Sequence, residues 1–368
     1  MNLANIFEHL HAHPEISWEE HETTEYVRKM LAEHGYRVRT FDECTGVIGE
    51  IGSGRPVVAL RADIDALWQQ VGGHFRANHS CGHDAHMTMV LGVAETAKEL
   101  VREYEGTVRL IFQPAEEKGA GALKMVELGV ADDIDYLYGV HLRPIEEARF
   151  GKAAPAILHG ASRLVEGKII GKDTHGARPH LGINAIDVGS SLNAMINRVR
   201  LDPMIPHSIK MTKFRAGGKN ANIIPGSAVF SVDMRAQSNQ LMEALDDRFK
   251  RIIEPMKDQF GVDIRLATQA VIPASEVSED AQHIMADAIC DVLGHRNMLP
   301  AIETPGGDDF HFYTLKRPHL KATMLGLGCD LQPGLHHPDM TFNREAIGSG
   351  VEILTRAIKL TLEHGKEA

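Results

Sequence analysis

The sequence predicts an α/β protein in which a mostly parallel, helix-covered sheet is interrupted by an inserted α+β segment. Three observations lead there. Apolar strand runs alternate with helical patterns over the first 158 residues. From about residue 160 the strands switch to alternating apolar and polar positions. After about residue 275 the first style returns. A discontinuous first domain, residues 1–158 with 272–368, is therefore expected around an insertion at 159–271.

Taken in order, a helix is expected over roughly 21–34, where Tyr26, Val27, Met30 and Leu31 recur at helical spacing and Gly35 ends the run. PVVALRAD (56–63) reads as a buried strand, 86–101 as a helix, and TVRLIFQ (107–113) and YLYGVHL (136–142) as further strands. Such a β-α-β rhythm suits a parallel sheet with helices on its faces. SRLVEGKII, HSIKMTKFRA and SAVFSVDMRA alternate as half-exposed antiparallel strands should. Helices near 183–200 and 238–260 and the strand VDIRLATQAV complete the insertion. Beyond it, Ser278 is expected to cap a helix ending at Gly294, and ATMLGLG (322–328) to form a buried strand. A final helix carries Ile347, Val351, Leu354, Ile358 and Leu362 on one side.

Composition narrows the function. The 368 residues suffice for about two domains, and the net charge of −11 argues against a nucleic-acid binder, which would show a basic face. No apolar run approaches the roughly 20 residues that span a bilayer, so no membrane partner is expected. MNLANIFEHLHAHPEIS lacks a basic region followed by an apolar core, so no signal peptide is expected either. Cys44, Cys81, Cys290 and Cys329 show no disulfide spacing, which points to free thiols and a cytoplasmic location.

In open α/β sheets chemistry collects at the carboxyl ends of strands, and the unusual residues fall there. Asp63 and Asp65 follow the 56–62 strand, Glu116 and Glu117 follow TVRLIFQPA, His141 closes YLYGV, and His336 and His337 follow ATMLGLG. Cys81 and His83, in HSCGHDAH, precede a helix. A thiolate, imidazoles and a carboxylate from separate loops suit a borderline divalent ion such as zinc, manganese or cobalt. Cys-Gly-His is not the spacing of a structural zinc ribbon, which favours an open catalytic site. Of the adjacent Glu116 and Glu117, one can bind metal while the other reaches a water whose pKa the metal lowers to about 7.

These motifs are similar, nearly end to end, to the M20 metallopeptidases, specifically the Cys/His branch of amidohydrolases acting on N-acyl amino acids. The resemblance rests on LHAHPEISWEEHETT, RADIDAL, HSCGHDAHM, GTVRLIFQPAEE, GVHLRP, THGARPH, NIIP, DMR and GLHHPD. It implies a zinc-peptidase-like catalytic domain with an inserted lid or dimerisation domain. It also implies one or two divalent ions (manganese, zinc or cobalt) held by Cys81, His83, Glu117, His141 and His336, with Glu116 as general base and acid. Arg61 stands where the wider family has a histidine, so Asp63 is expected to support the centre rather than bridge it. His175 is implied as a lid histidine that steadies an oxyanion in a partner subunit's site, and Asn222 and Arg235 as holders of the substrate carboxylate, which a guanidinium fork suits. A homodimer through the lid follows. The sequence departs from the family at ALWQQVGGHFRANHSCGHD, and at Thr174, where a glycine is usual.

Each assignment has a plainer rival. Cys81 and His83 could be a buried thiol beside a helix-capping turn, or a nucleophile with its base, although no orienting residue accompanies them. Glu116 could be a solvated carboxylate, His175 a packing residue of the insertion, and Arg235 a surface charge. Spacing does not separate His336 from His337; the resemblance favours His336, directly after the leucine. The expected function is a metal-dependent amidohydrolase for small N-acyl amino acids. A dipeptidase or carboxypeptidase-like activity and a catalytically silent homologue stand as the alternatives.

Overall fold

A computed structural model describes residues 2–364; Met1 and residues 365–368, the extremes of the expected first domain, lie outside the described residues. The chain divides into two compact units. One takes the residues up to Leu158, then Glu276–Glu303, and the chain from Asp308 onward; the other takes His159–Ser275 and Thr304–Gly307. Residues 272–275 and 304–307 thus group with the inserted unit, where the Ser275 N–H donates to the His159 carbonyl at 3.0 Å.

The first unit is built on a seven-stranded sheet. Its centre is the parallel run Gly106–Gln113, Val57–Asp63, Tyr136–Pro144 and Lys321–Leu331. The expectation of a mostly parallel sheet holds for this centre, but the edges are antiparallel. Arg37–Thr40 pairs with Val47–Ser53 and that with Gly106–Gln113 on one side, while Ala153–Ala154 pairs with Lys321–Leu331 on the other. Antiparallel neighbours need only a short connection, whereas parallel ones need a crossover. Val57–Asp63 is buried throughout. Val58, Leu60 and Ala62 enter the main core with residues of the helices His83–Glu103, Glu279–Leu293 and Ala346–His364. The alternate residues Arg61 and Asp63 point the other way, where Arg61 lies 5.9 Å from the Phe310 ring.

The expected helices form. His21–Glu33 ends before Gly35, and Glu279–Leu293 follows Ser278, although the Ser278 side chain makes no capping bond. The sequence did not announce the helix Leu3–Ala12 or the hairpin formed by Leu67–Val71 and His74–Asn78. That hairpin turns on Gly72 and Gly73, both with positive φ (59° and 88°), the backbone a tight two-residue β-turn demands.

The second unit is a four-stranded antiparallel sheet in the order His207–Ala216, Ser227–Ala236, Ala161–Ile170, Asp263–Ile272. The helices Ala185–Ile196 and Asn239–Phe260 bury one face, with Val165, Ile169, Phe230, Val232 and Met234 beneath them. The other face keeps Val229 exposed. Among the described residues no helix is long and apolar enough to cross a membrane.

Candidate metal centre

At the carboxyl end of the first unit's parallel strands the sequence folds so that several polar groups must converge. Gly82, left-handed at φ 89°, lets the chain turn between Cys81 and His83 as the His83–Glu103 helix begins; a Cβ there would come within 2.9 Å of Leu142. After Gly106–Gln113 the chain turns through Ala115 (φ 50°) into a single helical turn, Glu116–Lys118. Gly121 closes behind that turn, where a side chain would collide with the Pro114 carbonyl at 1.6 Å. His336, also left-handed (φ 64°), comes from the loop after Lys321–Leu331.

The structure brings five of the sequence-predicted residues together. Cys81 Sγ lies 3.6 Å from His141 Nε2. Glu117 Oε1 lies 3.9 Å from His83 Nε2 and 3.4 Å from His336 Nε2. Donor atoms of Cys81, His83 and His141 all fall within 4.8 Å of one another, as do those of Cys81, Glu117 and His336, so Cys81 is common to two triads. Glu116 joins a third group with His83 and Glu117. His83 Nδ1 is engaged with the Asp65 carbonyl at 2.8 Å and His141 Nδ1 with the Leu142 carbonyl at 2.7 Å, which leaves each Nε2 for the cluster. His337 does not point inward in this way: its Nδ1 accepts the Asp339 N–H at 3.1 Å.

The donor set fits a divalent cation. His83 Nε2 and Glu117 Oε1 are buried without a hydrogen-bond partner, although such orphans are costly and rare. A thiol, three imidazoles and a carboxylate facing one spot are the ligands a borderline metal takes. The electrostatics agree. Cys81 and Glu117 beside it push His336 up to about 10, the signature of a place that attracts positive charge. Burial, with His86 and Arg143 beside it, holds His141 well below the usual histidine range, neutral as a ligand must be. Burial and Glu117 raise the Cys81 thiol, the reverse of what a metal-free nucleophilic cysteine requires. Burial, Asp308 and Glu117 push the Glu116 carboxyl well above the usual carboxylate range.

Behind the cluster stand buried supporting residues, of which the sequence reading gave a role to Asp63 and passed over Glu20. Asp65, buried, accepts the Glu116 N–H at 3.1 Å, the Glu117 N–H at 3.0 Å and the Ser17 hydroxyl at 2.6 Å, so one carboxylate shapes the turn that presents both glutamates. Glu20, fully buried, takes the Ala115 N–H at 2.9 Å and the Thr45 hydroxyl at 2.5 Å. Asp63 lies between Arg61 (2.6 Å) and His86 Nδ1 (2.7 Å), and its nearer oxygen is 3.7 Å from His83 Nε2. Arg61 also reaches Asp309 at 2.8 Å and Gln113 at 3.0 Å, which completes a buried charge network. The RADID spacing, which puts 61, 63 and 65 on one side of a strand, was the available signal; the partners are far away in sequence.

The inserted unit carries the other three predicted residues, all exposed. His175 lies on the two-residue strand Thr174–His175, paired with Ile223, and the Gly176 N–H donates to the Asn222 carbonyl at 2.8 Å, so His175 and Asn222 share one ribbon. His175 Nδ1 accepts the Ala177 N–H at 3.1 Å, leaving Nε2 to carry the proton. Arg235 is elsewhere. It pairs with Ser162 at the far end of the sheet, is bonded to Asp233 at 3.0 Å, and borders a cleft of about 280 Å³ with His207 and Gln237. Eight strand residues separate it from Ser227, the end nearest the ribbon, a span of about 25 Å.

Comparison with known proteins gives this arrangement its family. N-acetyl-L-cysteine deacetylase of Bacillus subtilis (strain 168) is 31% identical over 384 residues, covering 100% of this chain and 89% of the relative. N-acyl-L-amino acid amidohydrolase of Geobacillus stearothermophilus is 34% identical over 268 residues, covering 69% of this chain and 72% of its own. Among solved structures, a dinuclear metal-binding M20 peptidase of Bacillus subtilis superposes with a TM-score of 0.83 at 28% identity, covering 98% of each chain. Residues 59–360, which contain every residue of the cluster, match the profile of peptidase family M20/M25/M40, and the chain belongs to that family.

Proposed function

We propose that this protein is a metal-dependent amidohydrolase that cleaves small N-acyl amino acids into a carboxylate and an amine. One observation carries the reading: Cys81, His83, Glu117, His141 and His336 converge from loops scattered along the chain, with two of their donor atoms buried and unpartnered. The names of the relatives, an N-acetylcysteine deacetylase and an N-acyl-amino acid amidohydrolase, support the substrate class. The sharing of Cys81 between two triads supports one or two ions; manganese, zinc and cobalt all suit the donors.

In this reading the five residues hold the metal, which when bound supplies Lewis acidity to the amide carbonyl and to water. Glu116, beside them, takes the proton from the water that attacks the carbonyl carbon. As the C–N bond breaks, Glu116 delivers that proton to the leaving nitrogen. Asp65 and Asp63 orient: the first fixes the Glu116–Glu117 backbone, the second stands against His86 and His83. His175, with its proton on Nε2, is a donor for the oxyanion, and Asn222 and Arg235 hold the substrate carboxylate.

The inserted unit belongs to the proposal as lid and dimerisation domain. Arg235 lies about 25 Å along its strand from Ser227, the end nearest the His175–Asn222 ribbon. One small substrate cannot reach both, which supports a homodimer in which His175 serves the partner's site. The uncovered sheet face, where Val229 is exposed, supports the same assembly. A cytoplasmic location fits a centre whose cysteine must stay reduced.

The test is Glu116→Gln. It is expected to keep the parent's metal content while hydrolysis of N-acetyl and N-benzoyl amino acids drops by at least a thousandfold; hydrolysis at the parent rate would remove Glu116 from the mechanism. A dipeptide panel run beside it separates amidohydrolase from dipeptidase.

A further inference from the structure

His336 is the most exposed of the five clustered side chains, 54% accessible, so packing does not hold its imidazole in place. Its backbone is left-handed, a conformation that strains a non-glycine residue and needs a partner to maintain it. Both sides of the residue are clamped. The His336 N–H donates to the Ser80 carbonyl at 2.8 Å, and the His336 carbonyl accepts Gln69 Nε2 at 3.1 Å.

The second clamp belongs to the hairpin that the sequence analysis singled out as departing from the family. Gln69 lies on its first strand, near the Asn78 end of the second. The Asn78 amide donates twice, to Gln69 Oε1 at 2.7 Å and to the Pro338 carbonyl at 3.1 Å. The first bond decides which end of the Gln69 amide faces the loop: with Oε1 occupied, Nε2 is turned to His336. The second ties down the loop two residues further on. One stretch of chain, 67–81, therefore carries Cys81 at its end and holds His336 by its backbone from its start. The hairpin's other residues do not share this task. Gln70 donates within the turn, to the Gly73 carbonyl at 3.2 Å.

We propose that Gln69 and Asn78 form an amide pair that positions His336, making the Leu67–Asn78 hairpin the element that completes the metal centre. Neither residue touches substrate or metal; both act through the His336 backbone. The inference rests on the reading of His336 as a ligand and adds what holds it. Loss of an orienting partner behind a ligand weakens metal binding by about ten- to a hundredfold.

Metal-stripped protein titrated with cobalt(II) alone, followed by calorimetry and by the thiolate-to-cobalt absorption band, tests it. Gln69→Leu is expected to weaken the weakest cobalt step by about ten- to a hundredfold and change the band, at an unchanged melting temperature. Asn78→Leu should do the same, and the double variant should lose no more than either, because the pair is one device. Gln70→Leu should titrate as the parent does. Should Gln69→Leu fold poorly, Gln69→Met is read instead: it keeps the length and loses the amide without adding a charge. Parental cobalt affinity and spectrum in the folded Gln69 variant, with His336→Ala impaired, would overturn the positioning role and leave the ligand reading standing. Parental binding in His336→Ala would overturn both.

Discussion

The two units place their polar residues in opposite ways. In the first, Asp63, Asp65, His83 and His141 are buried and each is fixed by named partners; in the second, His175, Asn222 and Arg235 are exposed, on a two-residue ribbon and along one strand. The difference follows from the sheets. The first sheet's parallel centre is buried on both faces, so a polar residue there must be matched by another polar residue. The second sheet packs helices on one face only, and its polar groups need no partners inside. Groups held at fixed distances are thus set in the first unit, and exposed polar groups are carried by the second.

Arg61→Leu presses hardest on this contrast. It removes the one guanidinium that both buried carboxylates, Asp63 and Asp309, bond, and breaking a buried pair this way costs about 3–5 kcal/mol. Urea denaturation should show that loss, and a loss below about 1 kcal/mol would mean that the network is not needed for the fold. His175→Ala should do the reverse. Stability is expected to stay at the parent value while kcat drops about a hundred- to a thousandfold, as for other lost oxyanion donors. Mixing it with Glu116→Gln should restore activity if the histidine acts in the partner's site; no restoration would place it in its own. The smallest effect sharpens the comparison by separating burial from unit. Glu50 sits in the first unit but near its surface, and although burial would raise its pKa, Arg37 and Arg109 hold it below the usual value. Its stabilisation is therefore present above about pH 4.3 and lost as pH falls through the lowered value. Glu50→Gln should cost at most about 1 kcal/mol at pH 7 and show a shallower loss of stability in acid, with kcat unchanged; a cost matching that of Arg61→Leu would dissolve the distinction.

The strands at 57–63, 107–113 and 136–142 were legible because a parallel centre demands unbroken apolar runs, and the insertion because one-sided strands alternate. The antiparallel edges were not, since Arg37–Thr40 is mostly exposed and its pairing depends on neighbours rather than on its own pattern. The hairpin at 67–78 was missed although Gly72–Gly73 marks its turn, because Trp68 and Phe75, both exposed, gave no consistent apolar face. At the candidate centre, residue types with unusual chemistry drew notice: Cys81, His83, Glu117 and His141. Glu20 and Gln69 did not, and Asp65 was noticed without a role, because their work consists of hydrogen bonds to residues that adjoin them only after folding. Arg235 shows the limit from the other side, since its motif said nothing about how far it would lie from His175.

Gly121 bears on anyone who would retune this enzyme. The loop bearing the two glutamates is wedged against that glycine's bare backbone, so even a methyl group added there would drive the Pro114 peptide out of place and carry Glu116 with it. Libraries aimed at new acyl groups therefore have reason to leave 114–121 as it is.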